Sequence, residues 1–567
     1  MEYIAFFAVA FIIVFFIFIY GKIEEHKSKI WLYKKRKELF GNYPNKNYPD
    51  NRFSTLMQSV EYRKQHSSQT DDLFVIDDIT WNDLDMDRIF QSMDYAVSSV
   101  GEDALYRWLR IPELSDSQLV KREKHYDYLQ NHKDECVKYQ MIMSKVGKTG
   151  KYTIYQYFDF LDVLENSRCI SDWVIDFIIV ATLLLGIFVN TMCIYISIAF
   201  MIYHGFQYFT KKAKIEPYFE SVAYFVRILK ATDSLHALPA SFHEEFQDEL
   251  NLIKECKKIF QSFMRGSALA LDQGATTGAG DIGQLIMTYF KMIFHFDMMK
   301  FYSMIHIVKD KREHIIELME IMGEIEACIS VVYYRNAIST YCIPTFENKD
   351  TRPQYEAKQI FHPLIPDAVK NDVHQNNCML LTGSNASGKS TFLKTVACNA
   401  LLAQSIHTVC ADEYNGSFFR IYSSMALRDS IKEGDSYFIV EIKSMKRIFD
   451  AAKTSTIPIL CTIDEVLRGT NTAERIGAST ELLKALSKER VLCFAATHDR
   501  ELTVYLQEIY DNYHFEETIV DKTISFPYIL TKGPSKGRNA IKLLEAFGFD
   551  EEITKKANAL AGELACE

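Results

Sequence analysis

Gly383 to Thr391 reads Gly-Ser-Asn-Ala-Ser-Gly-Lys-Ser-Thr, which fits the G-x-x-x-x-G-K-[ST] spacing of a phosphate-binding loop. Each residue type answers a need of a polyphosphate ligand. Gly383 and Gly388 let the backbone wrap closely round oxygen atoms, and a helix opening directly behind them offers free N–H groups and a positive dipole end. Lys389 is expected to reach the β- and γ-phosphates of ATP. Ser390 is expected to give its hydroxyl to Mg2+, with Ser384, Asn385, Ala386, Ser387 and Thr391 completing the cradle. A second segment, "IPILCTIDE", reads as a buried strand ending in two acids. Asp464 is placed there for the metal, and Glu465 as the general base acting on the attacking water. Two adjacent acids after a strand are common by themselves; downstream of a phosphate loop they become specific. A third segment, "VLCFAATHD", is another apolar strand and leads to His498, placed to sense the γ-phosphate. Lys389, Glu465 and His498 are therefore the candidate catalytic residues, Ser390 and Asp464 the candidate metal ligands, and ATP with Mg2+ the expected cofactors.

These residues need a scaffold of strands alternating with helices. From about residue 355, short apolar runs ("CMLL", "IPILCTID", "VLCFAAT") are separated by helical stretches, which predicts an α/β domain with a mostly parallel sheet. Upstream, the pattern is helical. Ile89, Met93 and Val97 keep one apolar face, Pro112 stops a helix, and Ser115 with Gln118 forms a capping box for the next. Residues 215–265 are helical and rich in paired charges, and one long helical pattern runs from about Gln284 to Tyr341. The Gly-rich segment 266–283 has no Lys or Ser/Thr in phosphate-loop spacing and reads as a flexible connection.

Two regions look built for lipid. Residues 3–20 carry no charge, about the length that crosses a hydrocarbon core, and neither a basic start nor a small-residue cleavage site marks a signal peptide. Lys22, Lys27, Lys29, Lys34, Lys35, Arg36 and Lys37 follow, which places that side in the cytoplasm. Residues 174–206 form two apolar halves around Asn190, and two short crossings return Lys211, Lys212 and Lys214 to the same side. Asp176 and the shortness of each half are what a buried soluble hairpin would also show. The formal charge of −10 over 567 residues argues against a broadly basic protein that coats nucleic acid. The 12 cysteines form no C-x-x-C pair and read as reduced core residues.

The segments "LLTGSNASGKSTFLKTVA", "FFRIYSSMALRDSIKEGDSYFIVEIKSMKRIF", "CTIDEVLRGTNTAERIGA" and "FAATHDREL" resemble the ATPase domain of the MutS family. So do "FHPLIPDAVKNDV" ahead of the loop and the tail "FPYILTKGPSKGRNAIKLLEAFGFDEEITKKA". "TWNDLD" and "GEDALYRWLRIPELSDSQLVKRE" are similar to the opening of the family's core and lever region. The resemblance covers about 74–130 and 285–560. It implies a composite active site in which two heads face each other as in ABC-type ATPases. Ser436, in "KEGDSYFIVE", would then reach the partner's γ-phosphate, and Arg468, Gly469, Thr470 and Asn471 would lie at the same interface. Ser384, Ala386 and Ser387 stand where repair proteins usually show Pro and Met-Gly, and Val466-Leu467 where they show Ile/Val-Gly. Residues before 74 leave no room for the mismatch-recognition and connector domains, and no Phe-x-Glu reader element can be placed.

The expected fold is an α/β P-loop NTPase head of the ABC-type/MutS kind, joined to an all-α core and lever region with transmembrane helices. The expected division is an anchor (1–21), a juxtamembrane linker (22–73), a helical core (74–173), a transmembrane hairpin (174–206), a helical lever (207–345) and the ATPase domain (346–567). The expected function is that of a multi-pass cell-membrane ATPase with a cytoplasmic head. Its heads would form a homodimer that ATP closes and hydrolysis reopens. Membrane lipid is an expected partner, and DNA a candidate one, in a mismatch-repair-related role without mismatch reading. Two other functions fit the same motifs: a transport-related ABC-type ATPase, against which the missing L-S-G-G-Q signature stands, and a nucleotide-gated membrane scaffold with no DNA role.

Overall fold

The computed structural model describes residues 2–49, 51–66, 73–150, 152–163, 170–267, 289–347, 352–384, 387–425, 437–467, 470–487, 490–516, 518–520, 523–535, 541, 544 and 548–563; the side chains of 2–18, 25, 66, 170, 437, 518–520, 523, 524, 562 and 563 are not among them. The C-terminal part is built on the strands β1 (Thr345–Phe346), β2 (Tyr355–Ile360), β3 (Asn371–Gln375), β4 (Cys378–Thr382), β5 (Glu413–Gly416), β6 (Arg420–Ser424), β7 (Ile459–Asp464), β8 (Val491–Thr497), β9 (Tyr510–His514), β10 (Thr518–Val520), β11 (Thr523–Ser525) and β12 (Thr531–Lys532). The main sheet has six strands in the order β12-β9-β4-β8-β7-β6, all parallel to their neighbours except β12. Every residue of β4, β7 and β8 is buried, as both faces of a helix-covered parallel sheet require. A second, four-stranded sheet, β1-β5-β2-β3, is mostly antiparallel and was not foreseen from the apolar runs. Its strands mix buried and exposed positions, so their apolar signal is weak.

The N-terminal part is helical: α1 (Glu2–Glu38), α2 (Arg52–His66), α3 (Asp78–Asp83), α4 (Met86–Met93), α5 (Ser99–Arg110), α6 (Asp116–Asn131), α7 (Lys133–Val146), α8 (Ile154–Val163), α9 (Ile170–Phe188), α10 (Met192–Ile215) and α11 (Phe219–Ser234). Shorter helices lead to Met264, and α12 (Phe296–Asp310) and α13 (Arg312–Ala337) return to the sheet. The linker expected over 22–73 is instead largely helix. α1 runs unbroken through the basic cluster, because no Pro or Gly interrupts it after Gly21, and Lys37 pairs with Asp134 of α7 at 2.9 Å. α2 buries Leu56 and Val60 and pairs Arg52 with Glu102. Among the described residues, the long helix expected from about Gln284 to Tyr341 is broken at His295 and again at Lys311. Ser115 does stand at the N-cap of α6, but its hydroxyl faces Ser117 at 3.4 Å and caps no backbone N–H. The segment 266–283 lies almost wholly outside the described residues.

Where α13 crosses α5, a Cβ on Gly323 would sit 2.3 Å from the Val100 carbonyl oxygen, so only glycine allows that approach. Three residues further on, Glu326 accepts hydrogen bonds from the N–H of Val97 (2.6 Å) and from Ser98 ahead of α5. The apolar core continues from these helices into α14 (Lys389–Ile406) beneath the main sheet. Two polar contacts lock the halves together. Asp83 accepts from Ser423 Oγ (2.6 Å) and the Met425 N–H (2.9 Å) at the end of β6. Arg335 of α13 binds Glu123 of α6 through both guanidinium arms (2.7 and 2.8 Å), while His407, just past α14, holds the same carboxylate at 2.8 Å.

α9 and α10 form a hairpin whose turn lies at Asn190, where Asn190 Oδ1 accepts from the Met192 N–H at 3.0 Å. Both helices are long and apolar enough to cross a membrane. Phe177, Phe188, Val189, Ile202 and Phe206 on this hairpin are exposed. The described cysteines are free, and most are buried.

Candidate functional site

The sheet register brings the chemistry together. Thr382 at the end of β4 pairs with Thr497 of β8, and Asp464 at the end of β7 pairs with Ala496, so three strands end side by side at one edge. The loop after β4, the acids after β7 and the histidine after β8 therefore face one space. Gly383 (φ +149°) and Gly388 (φ +103°) carry the loop into α14, in backbone that a side chain would strain. Lys389 is buried, and its Nζ donates to the carbonyls of Gly383 (2.8 Å) and Ser384 (2.7 Å), which draws the loop into a ring. Ser390 Oγ donates to Asp464 Oδ2. The Ser387 hydroxyl is buried within the loop without a hydrogen-bond partner among the described residues.

Glu465 has φ +63° and Leu467 φ +59°. The left-handed turn takes the chain off the line of β7, fixed by the Glu465 N–H donating to Ala496 O at 2.9 Å. The Glu465 carboxylate meets His498 Nε2 there. Behind them Arg475 forks onto Asp499 at 2.9 and 2.7 Å, and Asp499 N–H is held by Thr497 Oγ1 at 3.0 Å. Ser384, Gly388, Lys389, Ser390, Thr391, Asp464, Glu465 and His498 all line a single cavity of about 410 Å³.

Asn385, Ala386, Ser436, Arg468 and Gly469 lie outside the described residues. Thr470 and Asn471 stand at the start of α16 (Thr472–Leu486; α15 is Tyr437–Thr454), where Asn471 caps the Glu474 N–H at 2.9 Å and Thr470 Oγ1 donates to Glu474 at 3.0 Å. Both are on the surface, away from the buried face of that helix.

The other wall of the cavity was missed by motif reading. Ile365, Val369 and Phe361 supply apolar surface, and Tyr528 (φ +55°) brings its ring so close that a Cβ on Gly388 would stand 2.9 Å from it. Asn371 fixes this aromatic segment from both sides, donating to Tyr528 O (3.0 Å) and accepting from Leu530 N–H (2.7 Å). His362 lines the same wall, and burial, reinforced by Lys394, pushes its imidazole down to about 4. The signal was present in "FHPLIPDAVKNDV" and "FPYIL", but these carry no phosphate-binding spacing. An apolar and aromatic wall beside a polar, glycine-lined end is the layout that a ring-bearing polyphosphate needs.

Residues 379–565 match the family model for MutS domain V. Curated relatives include the DNA mismatch repair protein MutS of Thermus thermophilus, 31% identical over 209 residues (36% of this chain, 25% of the relative). Those of Pseudothermotoga lettingae (33% over 266 residues; 44% and 31%) and Thermotoga maritima (28% over 268 residues; 45% and 33%) are also similar. The chain spans about a quarter to a third of the length of these relatives.

Proposed function

We propose that this chain, with a MutS domain V at its C-terminal end, is a membrane-anchored ATPase whose heads work as a dimer. The convergence of Lys389, Ser390, Asp464, Glu465 and His498 on one cavity edge carries the reading. The residues fit ATP and Mg2+: the loop holds an unpartnered buried hydroxyl at Ser387, Ser390 and Asp464 already pair as an oxygen donor set, and an aromatic wall faces the loop. When bound, Mg-ATP supplies the phosphoanhydride that is cleaved by water.

The chain's own groups have separate tasks. Lys389 neutralises phosphate charge, and the first-turn N–H groups of α14 donate to phosphate oxygens. Ser390 Oγ and the Asp464 carboxylate hold the metal. Glu465, turned by its left-handed backbone, accepts the proton of the attacking water at its carboxylate, while His498 Nε2 orients that carboxylate and reads the γ-phosphate. Tyr528, Val369 and Ile365 cover the ring of the base and exclude water. Ser436, with Arg468 to Asn471, completes the site of the facing head.

Nucleotide-driven movement has a route to the hairpin. Asp83 grips the end of β6 just ahead of the segment that carries Ser436, and Arg335 and Glu123 tie α13 and α6 to the end of α14. The exposed apolar side chains of α9 and α10, with the apolar start of α1, suit a lipid surround. The test is phosphate release by the full-length protein in detergent, with and without duplex or branched DNA, since the relatives are named for DNA mismatch repair. Mg2+-dependent turnover that Lys389→Ala abolishes is the expected result, and stimulation by DNA adds a DNA-linked role. Absence of turnover under every condition, with ATP still bound, replaces the enzyme by a nucleotide-gated scaffold.

A further inference from the structure

At the base of the hairpin, far along the chain from the nucleotide cavity, Asp172 of α9, His204 of α10 and His295 at the start of α12 come together, all buried. One potential ligand atom from each lies within 4.8 Å of the others. His204 Nε2 stands 3.2 Å from Asp172 Oδ1, and His295 Nδ1 stands 3.4 Å from the same oxygen. The remaining ring nitrogens define the tautomers. His204 Nδ1 is 2.8 Å from the Ile293 carbonyl oxygen, and His295 Nε2 is 2.9 Å from the His204 carbonyl oxygen. A carbonyl can only accept, so each of these nitrogens carries a proton and donates it. In the neutral rings, His204 Nε2 and His295 Nδ1 are then bare lone pairs, and both are turned toward a carboxylate oxygen.

Three acceptors facing one another repel unless a cation stands between them. The imidazoles stack with centroids 3.6 Å apart in a buried place, where facing lone pairs are poorly screened. A metal resolves the conflict. With metal–ligand distances of about 2.0–2.1 Å, the edge of a tetrahedral zinc-type site is about 3.3 Å, and the two separations here are 3.2 and 3.4 Å. Donation of the second ring N–H to a backbone carbonyl is the way protein zinc sites hold their histidines. A separate observation points the same way. Asp176, one turn along α9 from Asp172, is 7% exposed, with neither carboxylate oxygen hydrogen-bonded among the described residues. It stands 3.5 Å from His204 Nδ1. Its carboxylate adds buried negative charge to the side of the cluster that His204 Nδ1 faces.

We propose that Asp172, His204 and His295 bind a divalent transition-metal ion of the zinc class, with Asp176 adding negative charge beside it. Lys211 Nζ reaches Asp172 Oδ1 and competes for that oxygen; its side chain is 31% exposed and can withdraw to solvent. The ion would clamp both hairpin helices to the start of α12. That helix leads directly into α13, whose Arg335 reaches the end of α14, so the clamp lies on the path between the apolar hairpin and the nucleotide domain.

The test uses full-length protein in detergent, stripped with a chelator, desalted and offered Zn2+ alone or Co2+ alone. About one Zn2+ per chain is retained after a second desalting, and Co2+ gives the visible ligand-field absorption of a low-coordinate nitrogen and oxygen site. His204→Ala and His295→Ala each abolish both signals while ATP binding persists. His295→Gln serves where the alanine variant loses ATP binding too, and it changes the Co2+ spectrum. Lys211→Met removes the competing cation and keeps the metal with equal or tighter affinity. Failure of the wild-type protein to retain Zn2+ overturns the site. Equal retention by the wild type and the histidine variants means an adventitious ion only, and overturns it as well.

Discussion

Leu467 offers a test of how the acidic turn is built. Its φ of +59° is left-handed, yet its side chain is only 6% exposed and packs in the cluster behind β7. Packing and backbone therefore oppose each other at this residue. Removing the side chain to alanine costs about 2.7–5 kcal/mol at a buried leucine. A left-handed residue with a Cβ carries about 1–2 kcal/mol of strain that glycine escapes. In ordinary backbone glycine is worse than alanine by about 0.5–1 kcal/mol. Leu467→Ala and Leu467→Gly should thus both destabilise the protein, with the glycine variant ahead of the alanine variant by about 1 kcal/mol. For a domain of 150–250 residues that is about 2–4 °C in melting temperature. Thermal unfolding of the two full-length variants side by side gives the sign. An alanine variant more stable than the glycine variant refutes the left-handed turn, and with it the account of how Glu465 is aimed.

Glu326 is fully buried, and burial pushes its carboxyl up to about 7 from an ordinary 4.5. The folded protein then holds a proton that the unfolded chain has lost, so this group's contribution is complete below pH 4.5 and fades as pH rises through 7. Glu326→Gln should stabilise the fold at pH 8 by on the order of 3 kcal/mol, seen as a higher melting temperature, and change little near pH 4.5; an equal effect at both pH values contradicts this. Burial opposes ionisation of Glu123, but the hydrogen bonds from Arg335 and His407 outweigh it and hold the carboxyl below its usual range. Glu123→Ala strands the Arg335 guanidinium and should cost about 3–5 kcal/mol in denaturant titration. Val180 is about half exposed midway along α9. An arginine there costs about 2.5–3.5 kcal/mol in a membrane-crossing helix and should reduce recovery in the membrane fraction, whereas a water-facing hairpin would gain solubility from it.

The C-terminal α/β domain was legible because its signals are local. A phosphate loop fixes spacing within nine residues, and wholly buried strands such as "ILCTID" cannot be mistaken for surface. The wall of the cavity was not legible, since Asn371 and Tyr528 meet only through the fold and neither belongs to a spaced motif. The basic stretch after residue 21 read as linker because charge clusters suggest exposure; its pairing to Asp134, far along the chain, turns it into docked helix. His204 and His295 stand 91 residues apart and share no spaced motif. Their partnership depends on two backbone carbonyls and an aspartate from different helices, which no sequence pattern records.

The central claim is that Glu465 drives hydrolysis at the site organised by Lys389, Ser390 and Asp464. Phosphate release by full-length Glu465→Gln, measured beside ATP binding and dimer mass in detergent, tests it most directly. The account predicts turnover lower by about 10²–10⁴-fold, with ATP retained and the ATP-bound dimer longer lived. Turnover equal to that of the wild type, with ATP bound normally, would contradict it.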